Sequence, residues 1–328
     1  MEQAPLFDHI ADGPQGGQAY WVHAEDGVRL RLAVWRGGAA GTVLLFPGRT
    51  EYAEKYGRGA AALARRGFTT VTIDWRGQGL SDRLLSERDR GHVDRFTEYQ
   101  RDVAAMLAAT ESLALAGPRF LIAHSMGGAI GLRSMIEGMG VKSAVFSAPM
   151  WGIRIPLLLR PAAWALSAAS RPLGFDGRFT PGTGGESYVA ATPFETNELT
   201  TDAEMYAYMR RQLSTEPDLA LAGPSLAWLH EALCDSRELA RQPAPDVPAV
   251  TFLGSAEKIV CPCAIVQRME QWPKGRLELV EGARHEVMME GKTVRRRFYD
   301  AAASLFRATG GVMPPPPRRF THSAVEAT

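Results

Sequence analysis

Three residues, far apart in the chain, have the types needed to make a serine nucleophilic. Ser125 stands in Ala123-His124-Ser125-Met126-Gly127, Glu257 in Leu253-Gly254-Ser255-Ala256-Glu257, and His285 in Glu281-Gly282-Ala283-Arg284-His285. A serine hydroxyl is a weak nucleophile until a base takes its proton and a third group orients that base. Serine, then carboxylate, then histidine is one of the chain orders in which such a set occurs. The chemistry on offer is acyl transfer through a covalent acyl-serine.

The surroundings of the serine point the same way. Phe120 to Ile122 reads as a short apolar strand, and a helix-forming run starts at Gly128 and continues to Met135. A serine at so tight a strand-to-helix turn is pushed up out of the sheet, with helix N-terminal amides beside it. Strand and helix backbones approach closely there, so small residues are needed two before and two after the serine. Gly127 meets the second demand, and Ala123 meets the first with one extra methyl. Five residues alone are weak evidence; the strand before and the glycines after give them weight.

Acyl transfer also needs N–H donors aimed at the developing oxyanion. The amide of Met126, directly after the nucleophile, is one. The other is expected from Pro47-Gly48-Arg49, which follows the apolar run Thr42–Phe46. Pro47 has no N–H, so the Arg49 amide is the donor and Gly48 supplies the turn. Glu257 and His285 each lie just beyond the end of an expected strand, where open α/β sheets place their ligands and reacting groups. Asp246 precedes its strand and Asp235 lies among helical pieces, so neither matches that placement as Glu257 does.

The remaining polar residues read as structural. His124 should point away from Ser125 and pack. His9, His23, His92 and His230 lack partners at metal-ligand spacing, and no metal is assigned. Glu51 and Lys55 read as an i, i+4 pair at a helix start, contributing about 0.3–0.5 kcal/mol if exposed. The glycine-rich stretch Asp74–Asp82 lacks the lysine and spacing of a phosphate loop and reads as a turn.

These residues need a sheet to hold them. Tyr20–His23, Arg29–Trp35, Thr42–Phe46, Thr69–Ile73, Phe120–Ile122, Ser143–Ser147, Ala249–Leu253 and Arg276–Val280 read as strands. From Thr42 onward they alternate with helix-like runs, which predicts an α/β fold with a mostly parallel, doubly wound sheet. The rhythm breaks after Pro149 and returns near residue 239. The expected division is therefore an irregular arm at 1–18, a core at 19–149 and 239–309, and a helical cap at 150–238. The tail at 310–328, with Pro314 to Pro317, is expected to be disordered or extended.

Composition narrows the setting. A chain of 328 residues can bury a full core, and its formal net charge of +1 argues against a nucleic-acid partner. Cys234, Cys261 and Cys263 have no disulfide spacing and read as free thiols. Met1 to Ile10 lacks the apolar centre of a signal peptide, and no apolar run reaches the ~18 residues of a membrane span. A cytoplasmic protein is expected. The apolar run from Ile153 to Ala169, with Leu157, Leu158, Leu159, Trp164 and Leu166, has two readings: a helix packed on the core, or a face touching a membrane surface.

Taken in order, Gly48-x-x-Glu51-x-x-x-Lys55-Tyr56, Asp74-x-Arg76-Gly77-x-Gly79-x-Ser81-Asp82, His124-Ser125-Met126-Gly127-Gly128, Gly254-x-x-Glu257 and Gly282-x-x-His285 form a pattern. It resembles the monoacylglycerol lipase and bacterial lysophospholipase branch of the serine α/β-hydrolases, over roughly residues 40–150 and 249–307. The resemblance implies an ester hydrolase for single-chain lipids, soluble or peripheral at a membrane, with a helical cap and no cofactor. Three positions depart from that branch: Pro47 for histidine, Ala123 for glycine, and Glu257 for aspartate. Proline-releasing aminopeptidases share the scaffold, and would need cap carboxylates such as Glu195, Glu198 or Glu204 to grip a free amine. A non-catalytic binding protein would be expected to lack members of the triad, and this chain has all three types.

Overall fold

A computed structural model describes residues 1–311 of the chain. The tail expected at 310–328 lies outside the described residues, apart from Gly310 and Gly311. The strands are β1 (Glu2–Ala4), β2 (Gln18–His23), β3 (Arg29–Trp35), β4 (Thr42–Phe46), β5 (Thr69–Asp74), β6 (Arg119–His124), β7 (Ala144–Ser147), β8 (Ala249–Gly254) and β9 (Gly275–Val280). The helices are α1 (Asp8–Ala11), α2 (Gly57–Ala64), α3 (Tyr99–Ser112), α4 (Ser125–Ile136), α5 (Arg160–Ser170), α6 (Tyr188–Ala191), α7 (Ala203–Thr215), α8 (Leu226–Leu239), α9 (Pro262–Glu270) and α10 (Lys292–Gly310).

One nine-stranded sheet runs in the order β1-β2-β3-β5-β4-β6-β7-β8-β9. The first three strands join antiparallel, and β5 through β9 pair in parallel. Every residue of β4 is buried, because helices cover both faces of the sheet. Val43 and Leu45 face one apolar layer with α2 and α10, while Leu44 and Phe46 face the other with α3, α4 and α9. This alternation, two residues per repeat, puts both faces of β4 to use.

Residues 1–18 are more ordered than an irregular arm. β1 adds an antiparallel edge to β2, and Ile10 and Ala11 of α1 are buried. Gly57 accounts for the docking of α1: any Cβ there would collide with the Ala11 carbonyl. Between β7 and β8 lies a segment containing α5 to α8. Its α8 packs on α4, and Asp235 of α8 pairs with the buried Arg133 of α4 at 2.6 Å. The last helix of the insertion is thus also part of the core layer.

The stretch Asp74–Asp82 is a structural turn, as its composition suggests. Asp74 is buried against Arg31 and accepts the amides of Ala53 and Leu80 at 2.8 Å each. Cys234, Cys261 and Cys263 are free thiols.

Candidate active site

β6 delivers the chain to Ser125, whose φ of 48° lies in the left-handed region that side chains other than glycine seldom adopt. That strain lifts the hydroxyl out of the sheet as α4 begins. Gly127 makes the turn feasible, since a Cβ there would meet the carbonyl oxygens of Phe46 and Pro47. Ala123 is buried within β6, and its methyl group is accommodated beside Gly131 of α4.

The two other expected residues come to Ser125 from the ends of β8 and β9. His285 Nε2 lies 2.9 Å from Ser125 Oγ, and His285 Nδ1 lies 2.7 Å from Glu257 Oε2. Nδ1–H donates to the carboxylate, which leaves Nε2 to accept from the serine hydroxyl. Glu257 Oε1 accepts the amides of Ile259 at 2.6 Å and Val260 at 3.0 Å. Burial opposes the charge on Glu257, but His285 and these two amides outweigh it and hold the carboxyl below its ordinary range. Gly254 allows the acid and base loops to touch, because a Cβ there would strike the carbonyls of Ala283 and Arg284. Asp246 is exposed and pairs with Lys274, and Asp235 is bound to Arg133, so neither is near His285.

Arg49 borders the same pocket as Ser125 and His285, and Met126 is buried at the first turn of α4. The Gly48 amide is not free for an oxyanion, because it donates to Glu51 Oε2. The Arg49 side chain donates to Ala222 O at 2.8 Å and lies over Trp228.

The structure corrects the reading of Glu51 and Lys55. They are not an exposed pair: both are 4% exposed, and Lys55 Nζ donates to Glu51 and to Glu286. Glu51 also accepts the Tyr56 hydroxyl. His124 points away from Ser125, as expected, but joins this group. Its Nδ1–H donates to Ser147 O at 2.9 Å, and its Nε2 faces Glu286 Oε2 at 3.3 Å. Burial disfavours charge on both, yet Glu286 and Glu51 raise the His124 pKa, while His124 and Lys55 hold Glu286 well below the carboxylate range. Lys55 therefore ties the Gly48 loop, through Glu51, to the residue next to His285. The ring centroids of His124 and His285 are 4.8 Å apart. Glu51, His124 and Glu286 could offer three ligand atoms to a metal. The Lys55 ammonium already bonds to both carboxylates, so a cation is in place among these donors.

A pocket of about 330 Å³ opens over Ser125. Met150, Ile153, Leu199, Leu213, Trp228 and Leu229 make most of its wall apolar, and Glu198 also lines it. These wall residues carry no motif, and of the six only Ile153 falls in the apolar run that begins there.

Fold and site define a class. The family described as serine aminopeptidase, S33 (Hydrolase_4), matches residues 37–292, and the chain belongs to it. Among individual relatives, lysophospholipase L2 of Escherichia coli strain K12 is 30% identical over 273 residues, 80% of this chain and 79% of the relative. Probable lysophospholipase L2 of Haemophilus influenzae is 29% identical over 256 residues, covering 77% and 80%. Of solved structures, a soluble variant of monoglyceride lipase from Saccharomyces cerevisiae aligns with a TM-score of 0.70 at 20% identity, over 88% of this chain and 94% of that one. Monoacylglycerol lipase of Paleococcus ferrophilus aligns with a TM-score of 0.64, also at 20% identity, over 85% and 99%. At such identity these structures speak for the α/β-hydrolase fold and for nothing finer.

Proposed function

We propose that this protein hydrolyses carboxylic esters of single-chain lipids, lysophospholipids or monoacylglycerols, through an acyl-enzyme on Ser125. The observation that carries the reading is the Ser125–His285–Glu257 relay, at 2.9 and 2.7 Å, set under a pocket with apolar walls. The names of the relatives with similar sequences support the substrate class.

In this mechanism Ser125 Oγ attacks the ester carbonyl as His285 Nε2 takes its proton. Glu257 holds the imidazole in the required tautomer and stabilises the imidazolium. The amides of Arg49 and Met126 bind the oxyanion. His285 then protonates the departing alcohol, and water, activated by the same nitrogen, releases the fatty acid. No cofactor enters any step. The insertion serves as the cap, with 150–238 as its extent and 19–149 and 239–309 as the core.

The exposed part of that cap suits a lipid surface. Leu157, Leu158 and Leu159 are 75%, 92% and 57% exposed, and no acidic residue lies between Met150 and Phe175, where Arg154, Arg160 and Arg171 do. Among the described residues no helix is long and apolar enough to cross a membrane.

A second reading, release of an N-terminal residue from a peptide, is favoured by Glu198, which lines the pocket where a free amine would need a carboxylate. Glu204 instead pairs with Arg58, and Glu195 is exposed. The deciding experiment is a panel of lysophospholipids, monoacylglycerols, nitrophenyl esters and aminoacyl amides, run with wild type and Ser125→Ala. Lipid-ester turnover should dominate and fall by about 10⁴-fold or more in the variant. Preference for aminoacyl amides would transfer the protein to the second reading.

A further inference from the structure

Most of the charged side chains lining the pocket over Ser125 already have partners. Lys55 bonds to Glu51 and Glu286, His124 faces Glu286, and His285 is held by Glu257. Arg49 is different. Its Nη1 donates to Ala222 O at 2.8 Å, a contact that satisfies one N–H and brings no negative charge. Among the described residues no carboxylate forms an ion pair with it. Burial therefore pulls its pKa down to about 10, with Tyr99 alone acting in the other direction. A cation drawn out of water is ordinarily paired with an anion, and the chain supplies none here.

The guanidinium sits against the pocket wall. Its Cζ lies 5.6 Å from the ring centroid of Trp228, a wall residue, and Pro224, close after the carbonyl it holds, is another. The N–H groups of Arg49 that lack a partner are not sealed from solvent. Glu198, half-buried, also lines the pocket and forms no ion pair among the described residues. It disfavours a bare anion there and suits one that carries a cationic group beyond it.

Arginine recognises phosphate oxygens through a rigid, planar fork of N–H donors. The reach also fits. In a lysophospholipid a glycerol unit separates the ester carbonyl from the phosphate. The Arg49 side chain, which separates its guanidinium from its amide, is of comparable length.

We propose that Arg49 binds the phosphate of a lysophospholipid head group and so selects phosphate-bearing single-chain esters over neutral monoacylglycerols. The assignment rests on the lipid-ester reading of the pocket and narrows it. One residue then measures the substrate, its amide at the oxyanion and its guanidinium at the phosphate.

Two ether lipids that no esterase can cleave separate recognition from catalysis. They are the monodecyl ether of glycerol and the same ether carrying phosphocholine, each titrated calorimetrically into the full chain below micelle formation. Wild type should bind the phosphocholine ether about tenfold more tightly or better, the scale of a charge-assisted hydrogen bond. In Arg49→Gln that preference should shrink to about threefold or less, because the amide keeps a donor but no charge. Arg49→Lys, with the charge but not the fork, should fall between the two. The preference is a ratio within one protein, so any disturbance of the Arg49 amide enters both titrations. Circular dichroism checks that the variants fold. Equal affinity of wild type for the two ethers would overturn the proposal, whether or not a variant folds. So would a folded Arg49→Gln that keeps the full preference. The turnover panel tests the underlying reading separately: failure to cleave any lipid ester, with the preference intact, would sink that reading and leave the phosphate subsite in place.

Discussion

Lys55 holds two buried carboxylates, one on the loop before it and one beside His285. Lys55→Met would leave Glu51 and Glu286 facing each other without their cation. Breaking a buried ion pair from one side costs about 3–5 kcal/mol, so the urea midpoint should drop by a corresponding amount. Glu257→Gln should lower kcat by about 10⁴-fold with little change in KM, because the amide would favour the wrong imidazole tautomer. A near-wild-type rate would remove Glu257 as the acid. His124 gives a pH signature. Its pKa is raised, so its contribution to stability is complete below its ordinary value of 6.5 and is lost as pH rises through the raised value. Glu286 is depressed, so its contribution holds above 4.5 and is lost as pH falls. Thermal midpoints of wild type should therefore decline by a few degrees between pH 6 and 9, and those of His124→Gln should stay flatter. Parallel curves would mean that His124 does not change its charge between pH 6 and 9. Ser125, Glu257 and His285 were legible because each sits at the end of a recognisable strand. Lys55 and Glu286 were not, since 231 residues separate them and no local spacing announces the pair.

At the scale of elements, the junction of β6 with α4 carries the tightest steric demand. Gly127→Ala should force α4 away from the Phe46 and Pro47 carbonyls, costing about 1–3 kcal/mol of stability and most of the activity. Ala123→Gly should change turnover by less than about threefold, within the range of minor repacking, because the existing methyl is already accommodated. Assays of both variants with one soluble ester separate the two cases. The strands were legible to within a residue or two because apolar runs bounded by glycine and proline have few other uses. Arg29–Trp35 and Thr42–Phe46 match the observed bounds. The first 18 residues misled because β1 is too short and polar to stand out: its pairing to β2, rather than its composition, makes it a strand.

For the whole molecule, the insertion decides what the site meets. Leu158→Glu alters a side chain that is 92% exposed, so folding and turnover of a water-soluble ester should be unchanged. Sedimentation with vesicles containing anionic lipid should weaken severalfold if Leu157 to Leu159 enter the interface. Unaltered sedimentation would return that face to water. The placement of the insertion also matters before the protein is finished. β7 and β8 are neighbours in the sheet, yet about a hundred residues are made between them. At the usual pace of synthesis, roughly 5–20 residues per second, a chain that has built Ser125 and β7 waits some 5–20 seconds for β8. During that interval the outer side of β7 is a bare edge in an aggregation-prone intermediate. Translation speed through the insertion thus becomes a variable in the yield of folded protein, although no residue there belongs to the relay.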